Sequence, residues 1–328
     1  MTKHPPSGEA PANPSEYGDI YGRQFKALRI SLTQSCNFSC VYCVPDGMTL
    51  KRLPNELSTE EFTEILTALH RQLRLEKIRI TGGEPLLYKY FDRFVEILGG
   101  FGIPDLSLTS NGTRIAEKAE LLYKNGFRRI NLSMDSLKPD VFRSMSRGGD
   151  SRKTMHGLET CLSVGFKLKV NMVPMRTLNR DEIITMLDFC LSRGIELRYI
   201  ELMRMGHVGN IFEQEYVSKD YILGEIGRVY NYRRLHADAD STAELYEIPG
   251  AGRFGIIANE TSPFCKGCNR LRLTSDGRLY GCISAVKNFD AREILGLPEA
   301  DADKVLRRLL AGAMQTKQTY GFIGSPYK

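Results

Sequence analysis

The sequence predicts an α/β protein: a partial (β/α)6, TIM-like barrel with a C-terminal extension. Two observations carry this. Six short runs rich in β-branched residues alternate with amphipathic stretches between about residues 27 and 203, the pattern of parallel strands covered by helices. Polar signatures close each run, as expected where strand C-termini carry a site. A G-x-G-x-x-G after the first run, which would favour a flat dinucleotide-binding sheet, is absent.

The runs, in order, are "ALRISLT" (27–33), "KIRITG" (77–82), "LSLTSNG" (106–112), "RINLSMD" (129–135), "LKVNMV" (168–173) and "LRYIEL" (197–202). "STEEFTEILTALHRQL" opens as a helix with a capping box, Ser58 with Glu61. Helices near 115–125, 152–164 and 180–193 stop at Gly126, Gly165 and Gly194, residues suited to a left-handed helix stop. Composition divides the chain into a Pro-, Ser- and Gly-containing leader expected to be disordered (1–18), the barrel (19–245) and a C-terminal region of different texture (246–328).

The 328 residues are 42% hydrophobic and 26% charged, an ordinary globular balance. No apolar run reaches the ~18 residues of a membrane span, and the N-terminus lacks the apolar segment of a secretory signal. The expectation is a cytoplasmic protein with no membrane partner. A net charge of +6 suits a small anion as well as nucleic acid.

Six of the eight cysteines fall in two triplets, whereas Cys161 and Cys190 sit alone in helical patterns, as packed residues. An odd triplet cannot pair internally, so metal ligation in a reducing compartment is the expectation. Cys36, Cys40 and Cys43, in "SCNFSCVYCVPDG", are spaced C-x3-C-x2-C. Three thiolates do not close a tetrahedral zinc site. They can hold a [4Fe–4S] cube with one iron left open; the alternatives are a structural zinc or an unliganded loop. Cys265, Cys268 and Cys282, in "FCKGCNRLRLTSDGRLYGC", form the second triplet. It fits a second open cube or a zinc ribbon short of a ligand.

Strand positions two apart share a face. Lys77, Arg79 and Thr81 therefore align, as do Lys167, Lys169 and Asn171, and Arg29 with Ser31; Arg198 lies on the sixth run. Barrel interiors are normally aliphatic, and a buried cation needs an anionic partner. With Arg270 and Arg272 beside the second triplet, this set predicts an anionic ligand such as a triphosphate. The alternative is that these cations point outward, or pair with Glu201, Asp135 and Glu84. No G-x4-G-K-[ST] phosphate loop is present. His207 reads as loop surface.

C-x3-C-x2-C after a first strand, with Tyr42 before the third cysteine and "GGEP" at 82–85, resembles the radical S-adenosylmethionine (SAM) enzymes. With "KIRITGGEPL", "LTSNG", "RRINLSMDSL", "LKVNMV", "LRYIELM" and "FCKGCNRLRLTSDGRLYGC", residues 18–290 resemble the GTP 3′,8-cyclase family of molybdenum-cofactor biosynthesis.

That resemblance implies a lyase using two [4Fe–4S] clusters and SAM to convert GTP to 3′,8-cyclo-7,8-dihydro-GTP. The 5′-deoxyadenosyl radical takes the ribose 3′-hydrogen, and the C3′ radical attacks guanine C8. It places Tyr42, Gly83, Glu84, Ser133 and Met203 at the SAM site. Arg29, Lys77, Arg79, Thr109, Lys169, Arg198, Arg270 and Arg272 fall on the GTP site, with the guanine on the open iron of the second cluster and Arg270 and Arg272 catalytic. It further implies a flavodoxin- or ferredoxin-type electron donor, and cyclic pyranopterin monophosphate synthase as recipient of the product. A homodimer is compatible with it; nucleic acid is not a partner.

Two positions depart from the family. Gln34–Ser35 stand where an Asp-Arg pair is usual, and the chain ends "GFIGSPYK", with Ser325 after Gly324 in place of a terminal Gly-Gly. These leave a second reading: a related radical SAM enzyme acting on another nucleotide or a peptide. A non-enzymatic iron–sulfur or zinc protein that binds RNA is a third class. It predicts aromatic platforms beside exposed cations, whereas these cations fall on interior strand positions.

Overall fold

The computed structural model describes residues 18, 19, 22–236, 240–319 and 321. The expected leader lies outside them apart from Gly18, and Gly324 and Ser325 lie outside them as well.

The elements follow in order: β1 (Ala27–Ser31), α1 (Thr59–Leu73), β2 (Lys77–Thr81), α2 (Phe91–Gly99), β3 (Asp105–Ser110), α3 (Ala119–Lys124), β4 (Phe127–Ser133), α4 (Pro139–Ser146), α5 (Ser151–Val164), β5 (Lys167–Met172), α6 (Ile183–Leu191), β6 (Glu196–Ile200) and α7 (Phe212–Glu215). Then come α8 (Lys219–Gly227), β7 (Arg233–Arg234), β8 (Glu244–Ile248), β9 (Gly252–Ile257), β10 (Arg270–Leu273), β11 (Arg278–Tyr280), β12 (Phe289–Asp290) and α9 (Glu299–Gln315). All six predicted strands form. The α1 capping box is made as predicted, Ser58 Oγ accepting from the Glu61 N–H and the Glu61 carboxylate from the Ser58 N–H. Gly165 takes φ 93° at the end of α5, a left-handed turn that a Cβ would strain.

The described strands form one sheet, ordered β12-β11-β10-β1-β2-β3-β4-β5-β6-β9-β8-β7. The C-terminal region adds a parallel strand to each edge of the six-stranded set, β10 against β1 and β9 against β6. The predicted boundary at 245/246 falls inside β8, and the sheet runs through it. The reason is physical: the outer edges of β1 and β6 would otherwise present unpaired backbone groups.

Along each strand one face carries Leu28, Ile30, Ile78, Ile80, Leu108, Ile130, Leu132, Val170, Leu197 and Tyr199, all buried in the continuous core. The alternate positions, Arg29, Arg79, Thr81, Thr109, Asn131, Ser133, Asn171 and Arg198, line one cavity. The barrel is therefore apolar under its helices and polar inside. Lateral register puts the cations side by side: Arg272 pairs with Arg29, and Arg29 with Arg79.

Candidate active site

The interior cavity has a volume of about 300 Å³. Tyr42, Ser133 and Met203 line one part of it, Cys265, Cys268 and Cys282 another, with Arg29, Arg79, Thr109, Arg198, Arg270 and Arg272 also on its wall. Every one of these was singled out from sequence.

The loop after β1 that carries the first triplet is held by other parts of the chain. Ser39 N–H donates to Ser146 O and Val41 N–H to Met145 O. Arg147 Nη1, at the left-handed end of α4, donates to the carbonyls of Ser39, Val44 and Pro45 at 3.2, 2.8 and 2.9 Å. His207, expected as loop surface, instead bonds Val41 O through Nε2 at 2.9 Å. Neither Arg147 nor His207 carries a spacing that marks it.

Tyr42 donates its hydroxyl to Asp135 Oδ2 at 2.7 Å. Burial pushes the Asp135 carboxyl up to about 6, although Val173 N–H also donates to it. Burial pushes the thiol of Cys43 up to about 12, and raises Cys36 and Cys40 as well; neighbouring thiols add to the rise at Cys40 and Cys43. Close grouping of acids disfavours free thiolates and leaves them to be stabilised by metal.

Gly83 and Glu84 do not line the cavity. A Cβ on Gly83 would sit 2.3 Å from Ser35 O and 2.4 Å from Gln34 O, so the strand-to-loop backbone leading to Cys36 requires glycine there. Glu84 is fully buried. Its Oε1 accepts from Leu86 N–H and Ser110 Oγ, and its Oε2 from Asn111 N–H. Burial raises its carboxyl to about 7 against those bonds. Through these bonds Glu84 braces the loop behind the triplet.

At the second triplet, burial raises Cys265. Burial opposes ionisation of Cys268 too, but Arg270 and Lys317 outweigh it and hold that thiol at about 6. The Arg270 guanidinium lies 4.9 Å from the Phe264 ring centroid, and its buried Nη2 has no hydrogen-bond partner among the described residues. Three thiols, one of them ionised near neutrality, and an orphaned cationic donor at their side fit a cluster with an anionic or acceptor-bearing ligand.

The cations divide. Arg29, Arg79 and Arg270 make no ion pair with a carboxylate among the described residues. Burial, then Arg272, Arg79 and Arg270, pull Arg29 well below the usual guanidinium range. Burial and Arg198 lead the fall of Arg79 to about 9. Lys77 and Lys169 do not reach this cavity. They line an adjoining one toward the strand N-termini, where Arg29, Arg79, Arg198 and Arg270 also appear. There Lys77 pairs with Asp240 at 2.7 Å, while Lys169 and Arg198 share Glu196 at 2.7 Å each. The pairing carboxylates are therefore not those named from sequence: Glu201 is occupied by Tyr216, Lys219 N–H and Thr261.

A parallel β/α barrel with three cysteines in the loop after its first strand, and with Tyr42 of that loop on the interior cavity, is the architecture of a radical SAM enzyme. Residues 30–190 match the Radical SAM superfamily, and residues 195–323 match Molybdenum Cofactor Synthesis C. Streptococcus suis SuiB bound to S-adenosylmethionine shares the fold, with TM-score 0.57 and 17% identity over 82% of this chain and 61% of that one. The chain is 36% identical to the GTP 3′,8-cyclase of Alkaliphilus oremlandii over 91% of its length and 92% of the relative. It is 38% identical to that of Listeria welshimeri, over 85% and 86%. The chain belongs to the GTP 3′,8-cyclase family within the radical SAM superfamily.

Proposed function

We propose that this protein converts GTP to 3′,8-cyclo-7,8-dihydro-GTP, the first step of molybdenum-cofactor biosynthesis, with SAM and two [4Fe–4S] clusters. The observation that carries this is one cavity bordered by Tyr42 of the first cysteine loop and by the whole second triplet, with half-buried arginines in its wall that make no ion pair with a carboxylate among the described residues.

Cys36, Cys40 and Cys43 would hold the cluster that binds SAM, with Tyr42, Ser133 and Met203 beside it and Gly83 offering backbone. Cys265, Cys268 and Cys282 would hold the second, which would supply a metal site for the guanine. When bound, the first cluster and SAM supply one-electron chemistry able to take a hydrogen atom from an unactivated carbon. The chain's own residues orient and enclose. Arg29, Arg79 and Arg198 receive the triphosphate, which relieves their mutual repulsion. Lys77 and Lys169 stand at its far end, reached by exchange of Asp240 and Glu196 for phosphate oxygens. Arg270 and Arg272 flank the base, where charge changes as C8 is attacked. Holding ribose C3′ and C8 in reach, out of water, makes cyclisation intramolecular.

Electrons come one at a time from a flavodoxin- or ferredoxin-type donor, and cyclic pyranopterin monophosphate synthase takes the product, in the cytoplasm. Among the described residues no helix is long and apolar enough to cross a membrane.

The test is anaerobic reconstitution with SAM, dithionite and GTP, read by mass spectrometry. The expected products are 5′-deoxyadenosine and a cyclised nucleotide convertible to a pterin. 5′-Deoxyadenosine without a GTP product would overturn the substrate assignment and leave a radical SAM enzyme of another specificity.

A further inference from the structure

We propose that Lys317 is a positioning residue of the second triplet, donating a hydrogen bond to the Cys268 sulfur and so raising the reduction potential of the cluster held there. The proposal rests on the two-cluster reading above.

Lys317 follows α9 and is not part of any motif. Its Nζ lies 3.1 Å from Cys268 Sγ and 2.8 Å from Arg270 O. It is only 9% exposed and forms no ion pair with a carboxylate among the described residues. A lysine ammonium taken out of water needs a compensating anion. The ligand sulfur is the group beside it that becomes one.

Three independent contacts hold it in place. A Cβ on Gly281 would lie 1.9 Å from Ala313 O and 2.6 Å from Thr316 Oγ1. Only glycine there lets the end of α9 close against the residue before Cys282. Arg23 Nη1 donates to both Cys265 O and Gln318 O at 3.0 Å, joining the first cysteine of the triplet to the residue after Lys317. The Lys317 ammonium also sits 5.6 Å from the Phe25 ring centroid. The helix end is thus built to deliver a cation to a cluster ligand. Hydrogen bonds and positive charge at cluster sulfurs favour the reduced, more negative state and raise the potential. Arg270 and Arg272 are left to face substrate.

The full-length chain with Cys36, Cys40 and Cys43 replaced by alanine isolates the second cluster. Reductive titration followed by electron paramagnetic resonance then compares it with Lys317→Met and Lys317→Arg added. The expected result is a more negative midpoint for Lys317→Met at undiminished iron, with Lys317→Arg returning toward the parent. If Lys317→Met loads no iron, Lys317→Ala, which likewise removes both the donor and the charge, takes its place. An unchanged midpoint in an iron-loaded uncharged variant overturns the proposal. So does an unchanged midpoint with lost GTP binding, which would make Lys317 a substrate contact. A parent chain that binds no four-iron cluster overturns the two-cluster reading, and this proposal with it.

Discussion

Tyr42 and Asp135 are joined by a 2.7 Å hydrogen bond that ties the first cysteine loop to the end of β4. Asp135 also accepts from Val173 N–H at 2.8 Å, so one carboxylate links the loop to the segments after β4 and β5. Tyr42→Phe removes a donor from a buried acceptor. The expected cost to the metal-free chain is about 1–3 kcal/mol, read as a lower denaturant midpoint with an unchanged slope.

The carboxyl of Glu84 is raised to about 7 by burial, against about 4.3 in the unfolded chain. Between those values the folded state binds the extra proton. The stability Glu84 contributes is full below the window and is lost as pH rises through it. The metal-free protein therefore loses stability from this group between about pH 4 and about pH 7. Glu84→Gln removes that slope, and its amide meets the Asn111 N–H donor to donor. Its deficit against wild type should grow as pH falls; a deficit constant across the range, measured by urea unfolding, contradicts the assignment.

Arg79 sits half-buried among Arg198, Arg129 and Arg270, and its Nε donates to Ser107 Oγ at 3.3 Å. Arg79→Ala should weaken GTP binding by roughly 10–100-fold, the worth of one charge-assisted hydrogen bond or two. Guanosine, which lacks the phosphates, should bind as before. Calorimetry with both ligands separates a phosphate contact from a general loss of the pocket.

At Gly83 an added Cβ collides with the Gln34 and Ser35 carbonyls, backbone that cannot swing aside. Gly83→Ala should displace the start of the first loop. Iron should drop by about half, from about eight to about four per chain, and 5′-deoxyadenosine formation should cease. Retention of both would mean the loop tolerates the shift.

Cys282→Ala is the complementary change. Iron should again fall to about four per chain, but cleavage of SAM should persist while the cyclised nucleotide disappears. Zinc, or undiminished iron, would show that the second triplet holds no cube.

The strands and the two triplets were legible because their signals are local. Runs of β-branched residues set β1 to β6, the Ser58–Glu61 box set α1, and period-two alternation set the faces of the strands. The two three-cysteine spacings are read from neighbouring residues alone. The same alternation put Arg29, Arg79 and Arg198 on the inner face.

What no local pattern carries is the identity of partners far apart in the chain. Tertiary structure decided that Lys169 and Arg198 share Glu196, that Lys77 meets Asp240, and that Glu84 is spent on Ser110 and Asn111. It also decided that β9 and β10 close the sheet edges, and that Lys317 arrives at Cys268 across 49 residues. Spacing fixes which face a side chain takes; only the closed packing of helices on a curved sheet fixes which charge stands opposite it.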